Sequence, residues 1–197
     1  STFDIIMENG IAKALSGRSY FNDGLRPKSA KPSFRIVSKN ALLKIPSWED
    51  ETAASFNTNL EEMALHSRLA KFIKMSMEQV IAAKVERLTI DLRGNTGGKS
   101  GPAAVLLSYL IPDPFTYYKE ISIASDKFPT KKYISNKDLV TFYESEDSKN
   151  LIEEIEGTYF FKNELLPKIS PQTKQFSGTV EVLVDKYSLS VSTDVVA

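Results

Sequence analysis

A glycine-rich turn near the middle of the chain is the first feature whose residues could do chemistry. The apolar stretch LTIDL at 88–92 leads to GNTGGKS at 94–100, and a helical pattern follows. Glycines between a strand and a helix let several backbone N–H groups point at one negatively charged group. Such a turn can cradle a phosphate or serve other anion chemistry. A tight structural turn alone would also account for Gly97 and Gly98.

The phosphate-binding interpretation fits this turn only in part. A Walker A loop requires G-x-x-x-x-G-K-[ST], but three residues separate Gly94 from the GKS at 98–100, and position 93 is arginine. Loop length sets the curvature that aims N–H groups at one phosphate, so a missing residue matters. The strand–loop–helix context favours an NTPase, as does VLVD at 182–185, which resembles a strand ending in a magnesium-binding aspartate. This function stays open as the third hypothesis.

Three serines alternate along 188–192, directly after the apolar strand pattern at 180–184. Serines at a strand-to-helix junction are most often helix caps or turn residues. A hydroxyl at such a junction also projects from the sheet edge, where N–H groups and the helix dipole favour negative charge. It becomes a good nucleophile when a base removes its proton. One of these serines becomes a candidate nucleophile only when the segment is considered together with the glycine turn.

Together the two segments resemble the motifs of a known peptidase family. IDLRGNTGG at 90–98 is similar to the DLRGNxGG signature of the tail-specific serine peptidases, the C-terminal processing proteases of peptidase family S41. VLVDKYSLSVST at 182–193 is similar to their VLVNxGTASASE motif, and ALLKIPSW at 41–48 resembles the strand before their long helix. The resemblance covers roughly residues 34–197. The PDZ-like module of the family is not evident.

The resemblance implies a serine endopeptidase that hydrolyses peptide bonds through an acyl-enzyme intermediate. Ser190 falls on the position of the nucleophile, and Gly98 and Val191 fall on the positions whose backbone N–H groups form the oxyanion hole. Losing one such donor typically slows catalysis by about a hundred- to a thousandfold. The implied substrate is a polypeptide, and no metal, nucleotide or other cofactor is implied.

Two departures from the family pattern leave an alternative open. Thr193 and Asp194 stand where the family usually has glutamate. The general base is typically a buried, neutral lysine further along the chain, so it is expected from beyond residue 197. The fragment, incomplete at its C-terminus on this interpretation, is then expected to be inactive by itself. The alternative is a catalytically inactive relative that binds peptides in the same cleft.

The one histidine and the one tryptophan of the chain are interpreted as structural residues. His66 is the only histidine, and it lies in an amphipathic helical pattern at 59–84. A polar position on a helix surface is therefore the favoured interpretation, ahead of a general base. Trp48, which follows Pro46, is predicted to lie in the core or to line the cleft.

Hydrophobic spacing predicts the elements that position these residues. Strands are predicted at 34–37, 41–45, 88–92, 117–123 and 180–184, and helices at 3–15, 59–84, 102–111, 151–155 and from 188 onwards. The first two strands flank Ser-Lys-Asn at 38–40, which suggests a hairpin. This succession indicates an α/β fold with crossover helices. The resemblance further implies a mixed sheet with a crotonase/ClpP-like ββα core. The predicted domains are a lead-in or remnant of a preceding domain at 1–33 and the peptidase core at 34–197, with 124–176 an excursion from the core.

Composition excludes several classes of function. Lys+Arg and Asp+Glu number 25 each, whereas proteins that bind nucleic acid usually carry a basic excess. The absence of cysteine excludes disulfides and thiolate-ligated zinc. No apolar run reaches the length of about eighteen residues that a membrane span requires. The family resemblance implies a periplasmic or extracellular location, and the oligomeric state is not determined by the sequence.

Overall fold

The structure is a computed structural model, and it combines a mixed β-sheet with short helices. It describes the backbone of residues 3–8 and 11–14, and residues 31–52, 59–123, 141, 145–162, 166 and 168–196. The chain divides into two compact units, residues 1–114 with 170–197 and residues 115–169. The predicted boundaries at 1–33, 34–197 and 124–176 remain predictions.

A six-stranded sheet organises the first unit. In spatial order its strands are β2 (Ile11–Ala14), β1 (Phe3–Glu8), β11 (Thr179–Val184), β5 (Arg87–Asp91), β4 (Asn40–Lys44) and β3 (Ser33–Val37). Strands β11, β5 and β4 are parallel to one another, whereas β1, β2 and β3 pair antiparallel with their neighbours. The sheet is therefore mixed, and the predicted hairpin of β3 and β4 is confirmed.

Helices connect the parallel strands. Between β4 and β5 lie α1 (Leu60–His66) and α2 (Arg68–Ala82), and α3 (Ser100–Ser108) follows β5. The helices pack closely, because a Cβ added at Gly101 of α3 would lie 2.5 Å from Met63 Sδ of α1. Their buried faces and the sheet supply the core, whose largest fully buried aliphatic side chains include Leu43, Ile73, Met77, Leu88, Ile90 and Leu106. This is the layered α/β arrangement that the sequence indicates.

The prediction of one long helix over 59–84 is wrong, because the helix is broken at Ser67. Ser67 is extended, with φ −115° and ψ 120°, and its Oγ accepts the N–H of Ala70 as the cap of α2. Asp50 fixes the break: its carboxylate accepts the Ser67 hydroxyl at 2.6 Å and the N–H of Leu69 at 2.9 Å. Hydrophobic periodicity continues across the break, so the pattern alone does not reveal it.

The prediction of a helix over 3–15 is also wrong, because these residues contribute β1 and β2. Strand β1 pairs antiparallel with β11 from Phe3 opposite Val184 to Ile6 opposite Glu181, and β2 pairs with β1. Pairing with a strand from the far end of the chain outweighs a weak local helical preference. The sequence did contain a hairpin signal, since residues 9–10 are Asn-Gly.

The second unit contains short antiparallel pairings. β6 (Phe115–Thr116) pairs with β10 (Lys168–Ile169), and β9 (Thr158–Phe161) lies between β7 (Ser122–Ile123) and β8 (Ile152–Ile155). A short helix, α4 (Glu146–Lys149), precedes β8. The prediction of one continuous strand over 117–123 is therefore wrong, because only Ser122–Ile123 is a strand within this range.

The predicted helix over 151–155 is wrong as well, since most of it is strand β8. Strands β8 and β9 form a hairpin in which Ile155 faces Thr158. The two residues between them, Glu156 and Gly157, have φ values of 51° and 79°, as a type I′ turn requires. The turn and the cross-strand pairing therefore set the structure here.

Within the described ranges, no helix is both long enough and apolar enough to cross a bilayer.

Asp50→Asn is expected to lower the free energy of unfolding by about 1–2 kcal/mol at neutral pH, because the charged acceptor of the Ser67 hydroxyl and the Leu69 N–H is lost. Burial raises the pKa of Asp50, but hydrogen bonds from Ser67, Thr52 and Leu69 outweigh it and leave the pKa below its usual value. The folded form therefore gains stability above the unfolded pKa, near pH 4, and loses it as the pH falls through the folded pKa.

Urea unfolding between pH 2 and pH 7 measures this contribution. The difference between the wild type and Asp50→Asn should shrink on acidification, whereas exposed Glu49→Gln should leave stability nearly unchanged. A difference that stays constant across this range would contradict the assigned role of the Asp50 carboxylate.

Candidate active site

Three loops that carry the sequence motifs leave the same edge of the six-stranded sheet. β4, β5 and β11 are parallel neighbours, so their carboxyl ends lie side by side. The loops that follow them are residues 45–48, 92–98 and 185–190. Ligands of open α/β sheets bind outside the carboxyl ends of the strands. The topology thus brings the glycine turn and the serine segment together.

Asn95 organises the glycine turn through its fully buried side chain. Its Nδ2 donates to the carbonyl oxygen of Ile45 at 2.8 Å, and its Oδ1 accepts the N–H of Gly97 at 2.9 Å. Gly94, Gly97 and Gly98 have φ values of 77°, 104° and 141°, which residues with a Cβ rarely adopt. The hydrogen bonds of Asn95 therefore hold the glycine turn in this conformation.

Arg93 holds the start of the turn through a bidentate ion pair. Its Nε and Nη2 each donate to the Asp91 carboxylate at 2.9 Å, and its backbone N–H donates to Asp91 Oδ1 at 3.1 Å. Burial alone would raise the pKa of Asp91, but the bonds and charge of Arg93, with the charge of Lys44, hold that pKa below its ordinary value. Asp91 is therefore a charged structural partner near neutral pH.

The segment after β4 is hydrogen-bonded to the two residues that flank Gly98. The N–H of Trp48 donates to the Gly97 carbonyl at 3.0 Å, and the Trp48 carbonyl accepts the N–H of Lys99 at 2.9 Å. This is an isolated parallel bridge between Trp48 and Gly98, in which the N–H and C=O of Gly98 itself face away from Trp48. A Cβ at Gly98 would lie 2.3 Å from the Trp48 carbonyl carbon. The close approach of two backbones therefore requires glycine at position 98.

Ser190 occupies a strained turn between β11 and α5 (Val191–Asp194). Its φ of 53° and ψ of −124° are unusual for a residue with a side chain and cost on the order of 1–3 kcal/mol. The residue is exposed, and among the described residues its Oγ has no hydrogen-bond partner. This sharp strand-to-helix turn at Ser190, which we call the elbow, presents the serine hydroxyl to solvent.

The elbow and the glycine turn are in direct contact. A Cβ built on Gly97 would lie 2.7 Å from Ser190 Cβ and 3.2 Å from Ser190 Oγ. The N–H of Leu189 donates to the Asn95 carbonyl at 3.0 Å and fixes the residue before the elbow. Gly97 therefore leaves the space that Ser190 occupies.

The serines on either side of Ser190 have structural roles. Ser188 Oγ donates to the Leu92 carbonyl at 2.8 Å and accepts the N–H of Asp185 at 2.9 Å. Ser192 Oγ donates to the Asn95 carbonyl at 3.0 Å and accepts the indole N–H of Trp48 at 3.1 Å. Both side chains are buried, so Ser190 is the member of the alternating series that solvent reaches.

The two predicted oxyanion donors have no acceptor in the described part of the chain. The N–H groups of Gly98 and Val191 are absent from the backbone and side-chain hydrogen bonds, although neighbouring Lys99 and Ser192 donate to carbonyl oxygens. Val191 is the first residue of α5, where N–H groups lack partners within the helix. Both groups are therefore free to bind an oxygen atom of a ligand.

The arrangement does not resemble a phosphate cradle. The N–H of Gly94 donates to Asp185 Oδ1 at 3.0 Å, and the N–H groups of Asn95, Gly97 and Lys99 also have protein acceptors. Asp185, which the NTPase hypothesis assigned to magnesium, also accepts the N–H of Tyr187 at 2.9 Å. Most of the amides that a nucleotide would need are thus already engaged.

A general base is not found beside Ser190 in the described ranges. His66 is exposed in the last turn of α1, in keeping with its interpretation as a surface residue, and it makes no hydrogen bond to Ser190 Oγ. Across these same ranges, no group of three or more His, Cys, Asp or Glu residues is placed to hold a metal ion. The described site therefore comprises an exposed hydroxyl and two free amides.

A protein-family model matches more than half of the chain. Residues 39–197 match the model of Peptidase family S41. The chain therefore belongs to Peptidase family S41, a family of serine peptidases.

The similarity to solved structures is weaker than the family match. The chain is similar to mature CPAF and to mature CPAF complexed with lactacystin, each with 22% sequence identity and a TM-score of 0.39. In both cases the match covers 78% of this chain and 34% of the other, so the chain spans about a third of the length of these proteins. A search of curated proteins gave no match.

Gly97→Ala is expected to destabilise the first unit by about 1–3 kcal/mol more than Gly157→Ala destabilises the second. Both glycines have positive φ, but a Cβ at position 157 meets no atom within 4 Å, whereas a Cβ at 97 collides with Ser190. Chemical denaturation of each variant measures the difference. Equal losses would show that the contact between the turn and the elbow is looser than described.

Proposed function

We propose that this protein is a serine endopeptidase and that Ser190 is its nucleophile. The observation that carries the proposal is the strained, exposed conformation of Ser190 beside two free backbone amides. Membership of a serine peptidase family supports the same reaction class. Strain of this kind persists only where surrounding contacts impose it, and it is concentrated at functional sites.

In the proposed reaction, Ser190 Oγ attacks the carbonyl carbon of a peptide bond in a polypeptide substrate. The serine proton passes to a general base, and the carbonyl oxygen becomes an oxyanion that the N–H groups of Gly98 and Val191 bind. Collapse of this intermediate breaks the C–N bond, and the amine leaves with a proton from the base. Water then hydrolyses the acyl-enzyme ester by the same steps, which returns the free Ser190 hydroxyl.

The general base is proposed to come from beyond residue 197, as the family resemblance implies. The proposal is supported by the absence of any His, Lys or carboxylate partner of Ser190 Oγ among the described residues. A lysine in this role must be kept neutral by burial, so it requires a shaped pocket. Residues 1–197 alone are therefore expected to turn over peptides poorly.

The finer details of fold and location are also proposed from the family. The order β3, β4, α1 with α2, then parallel β5, is compatible with a crotonase/ClpP-like ββα core. A periplasmic or extracellular location is inferred from the family resemblance alone.

A second candidate is an inactive relative that binds peptides at the same site. Thr193, which stands where the family usually has glutamate, favours this candidate. Its Oγ1 donates to the Ser190 carbonyl oxygen at 2.6 Å, so it supports the elbow and brings no carboxylate there. The two candidates differ in whether Ser190 reacts, and a chemical probe of that serine separates them.

Incubation of the natural full-length protein with a fluorophosphonate is expected to label Ser190. Its Oγ would displace fluoride from phosphorus and form a stable phosphonate ester, with the serine proton passing to the base. Mass spectrometry of the labelled peptide identifies the modified residue. Ser190→Ala is expected to remove the label and the peptidase activity.

Ser122→Ala supplies the matched control, because Ser122 is an exposed serine in the second unit. This variant should label and cleave as the wild type does. Peptide binding without labelling would contradict the peptidase and favour the inactive relative. Stabilisation by a nucleotide, without labelling, would favour the NTPase.

A further inference from the structure

A buried hydrogen-bonded bridge joins the loop after β4, the glycine turn and the start of α5. It consists of the Trp48 indole, the Ser192 hydroxyl and the Asn95 carbonyl, and we call it the indole–serine bridge. Trp48 Nε1 donates to Ser192 Oγ at 3.1 Å, and Ser192 Oγ donates to the Asn95 carbonyl oxygen at 3.0 Å. Trp48, Ser192 and Asn95 all have 0% of their surface exposed.

Burial makes the bridge sensitive to the loss of either bond. A buried donor or acceptor without a partner loses the hydration it would have in water, which costs about 1–3 kcal/mol. The Ser192 hydroxyl uses both functions, since it donates once and accepts once. A displacement of one loop relative to the others would therefore break at least one bond with no water to replace it.

The bridge lies next to both proposed oxyanion donors. Ser192 follows Val191 directly in the chain, and the backbone of Trp48 brackets Gly98 through bonds to Gly97 and Lys99. The bond from Trp48 to Ser192 thus connects the segment that holds one amide to the segment that holds the other. Asn95 completes the connection, because its carbonyl also accepts the N–H of Leu189 before the elbow.

We propose that Ser192, held by Trp48, is a positioning residue that fixes the separation of the Gly98 and Val191 amides. This inference rests on the proposed peptidase function and extends it to a residue that touches no substrate. Both amides must meet one developing oxyanion, and displacements of about 1 Å in such sites cost about a hundredfold in rate. Removing the bridge should therefore slow the reaction of Ser190 and leave substrate binding largely intact.

Ser108 provides a matched control for the loss of a buried hydroxyl. It is also 0% exposed, its Oγ donates to the Val105 carbonyl at 2.7 Å, and it accepts Gln172 Nε2 at 3.3 Å. Ser108 lies at the last position of α3, whereas the glycine turn precedes the start of that helix. Ser108→Ala and Ser192→Ala therefore remove similar bonds, but only the second removes a bond at the site.

The experiment measures fluorophosphonate labelling of Ser190 in the full-length protein over a range of probe concentrations. Ser192→Ala is expected to lower the maximal labelling rate by about tenfold or more, with little change in the half-saturating concentration. Ser108→Ala should lose similar thermal stability and keep the wild-type labelling rate.

Trp48→Phe tests the other half of the bridge and keeps the inference testable if Ser192→Ala does not fold. It removes the indole N–H, and its labelling rate should also fall. In the double variant the two losses should not add, because both changes break the same bond.

Each outcome decides a different claim. Wild-type labelling rates in Ser192→Ala or Trp48→Phe, or equal slowing in Ser108→Ala, would overturn the positioning role and leave the peptidase intact. If Ser190 of the wild type does not label, the proposed function fails, and this inference fails with it.

Discussion

The site depends on the hydrogen bonds that the buried side chain and the backbone carbonyl of Asn95 make. Within one residue, Nδ2 donates to the loop after β4 and Oδ1 accepts an N–H of the glycine turn. The backbone oxygen accepts bonds from Leu189 and Ser192, which lie on either side of the elbow. A buried amide must satisfy its donors and acceptors, so these partners occupy defined positions. The three loops consequently behave as one framework, although they are far apart in sequence.

That framework explains how Ser190 can hold an unfavourable backbone conformation. The N–H of Leu189 is fixed by Asn95, and the Ser190 carbonyl accepts the N–H of Thr193 at 2.7 Å. Gly97 leaves room for the serine, which a side chain would remove. Bonds on both sides of the residue thus maintain a conformation that a free chain would leave. The exposed hydroxyl is presented without any bond of its own to a described residue.

The sequence predicted the parts of the fold that depend on local pattern. Strand β11, the hairpin of β3 and β4 and the glycine turn follow from apolar runs and glycine spacing. The break at Ser67 was missed because it depends on Asp50, which is distant in sequence, and β1 was missed because its partner β11 lies near the other end. The candidate site residues Ser190, Gly98 and Val191 were predicted from the resemblance of the motifs. The link from Trp48 to Ser192 exists only in three dimensions, so no spacing rule could reveal it.

The position of β11 in the sheet has a consequence for the order of folding. This strand is synthesised after both β1 and β5, yet it lies between them in the sheet, and Thr179 faces Arg87. Until it emerges from the ribosome, β5 lacks one neighbour, and the elbow has no strand to extend from. Such long-range pairing slows folding and leaves strand edges open to aggregation in the meantime. Ser190 can therefore take up its strained position only after β5, β11 and α5 have all been made.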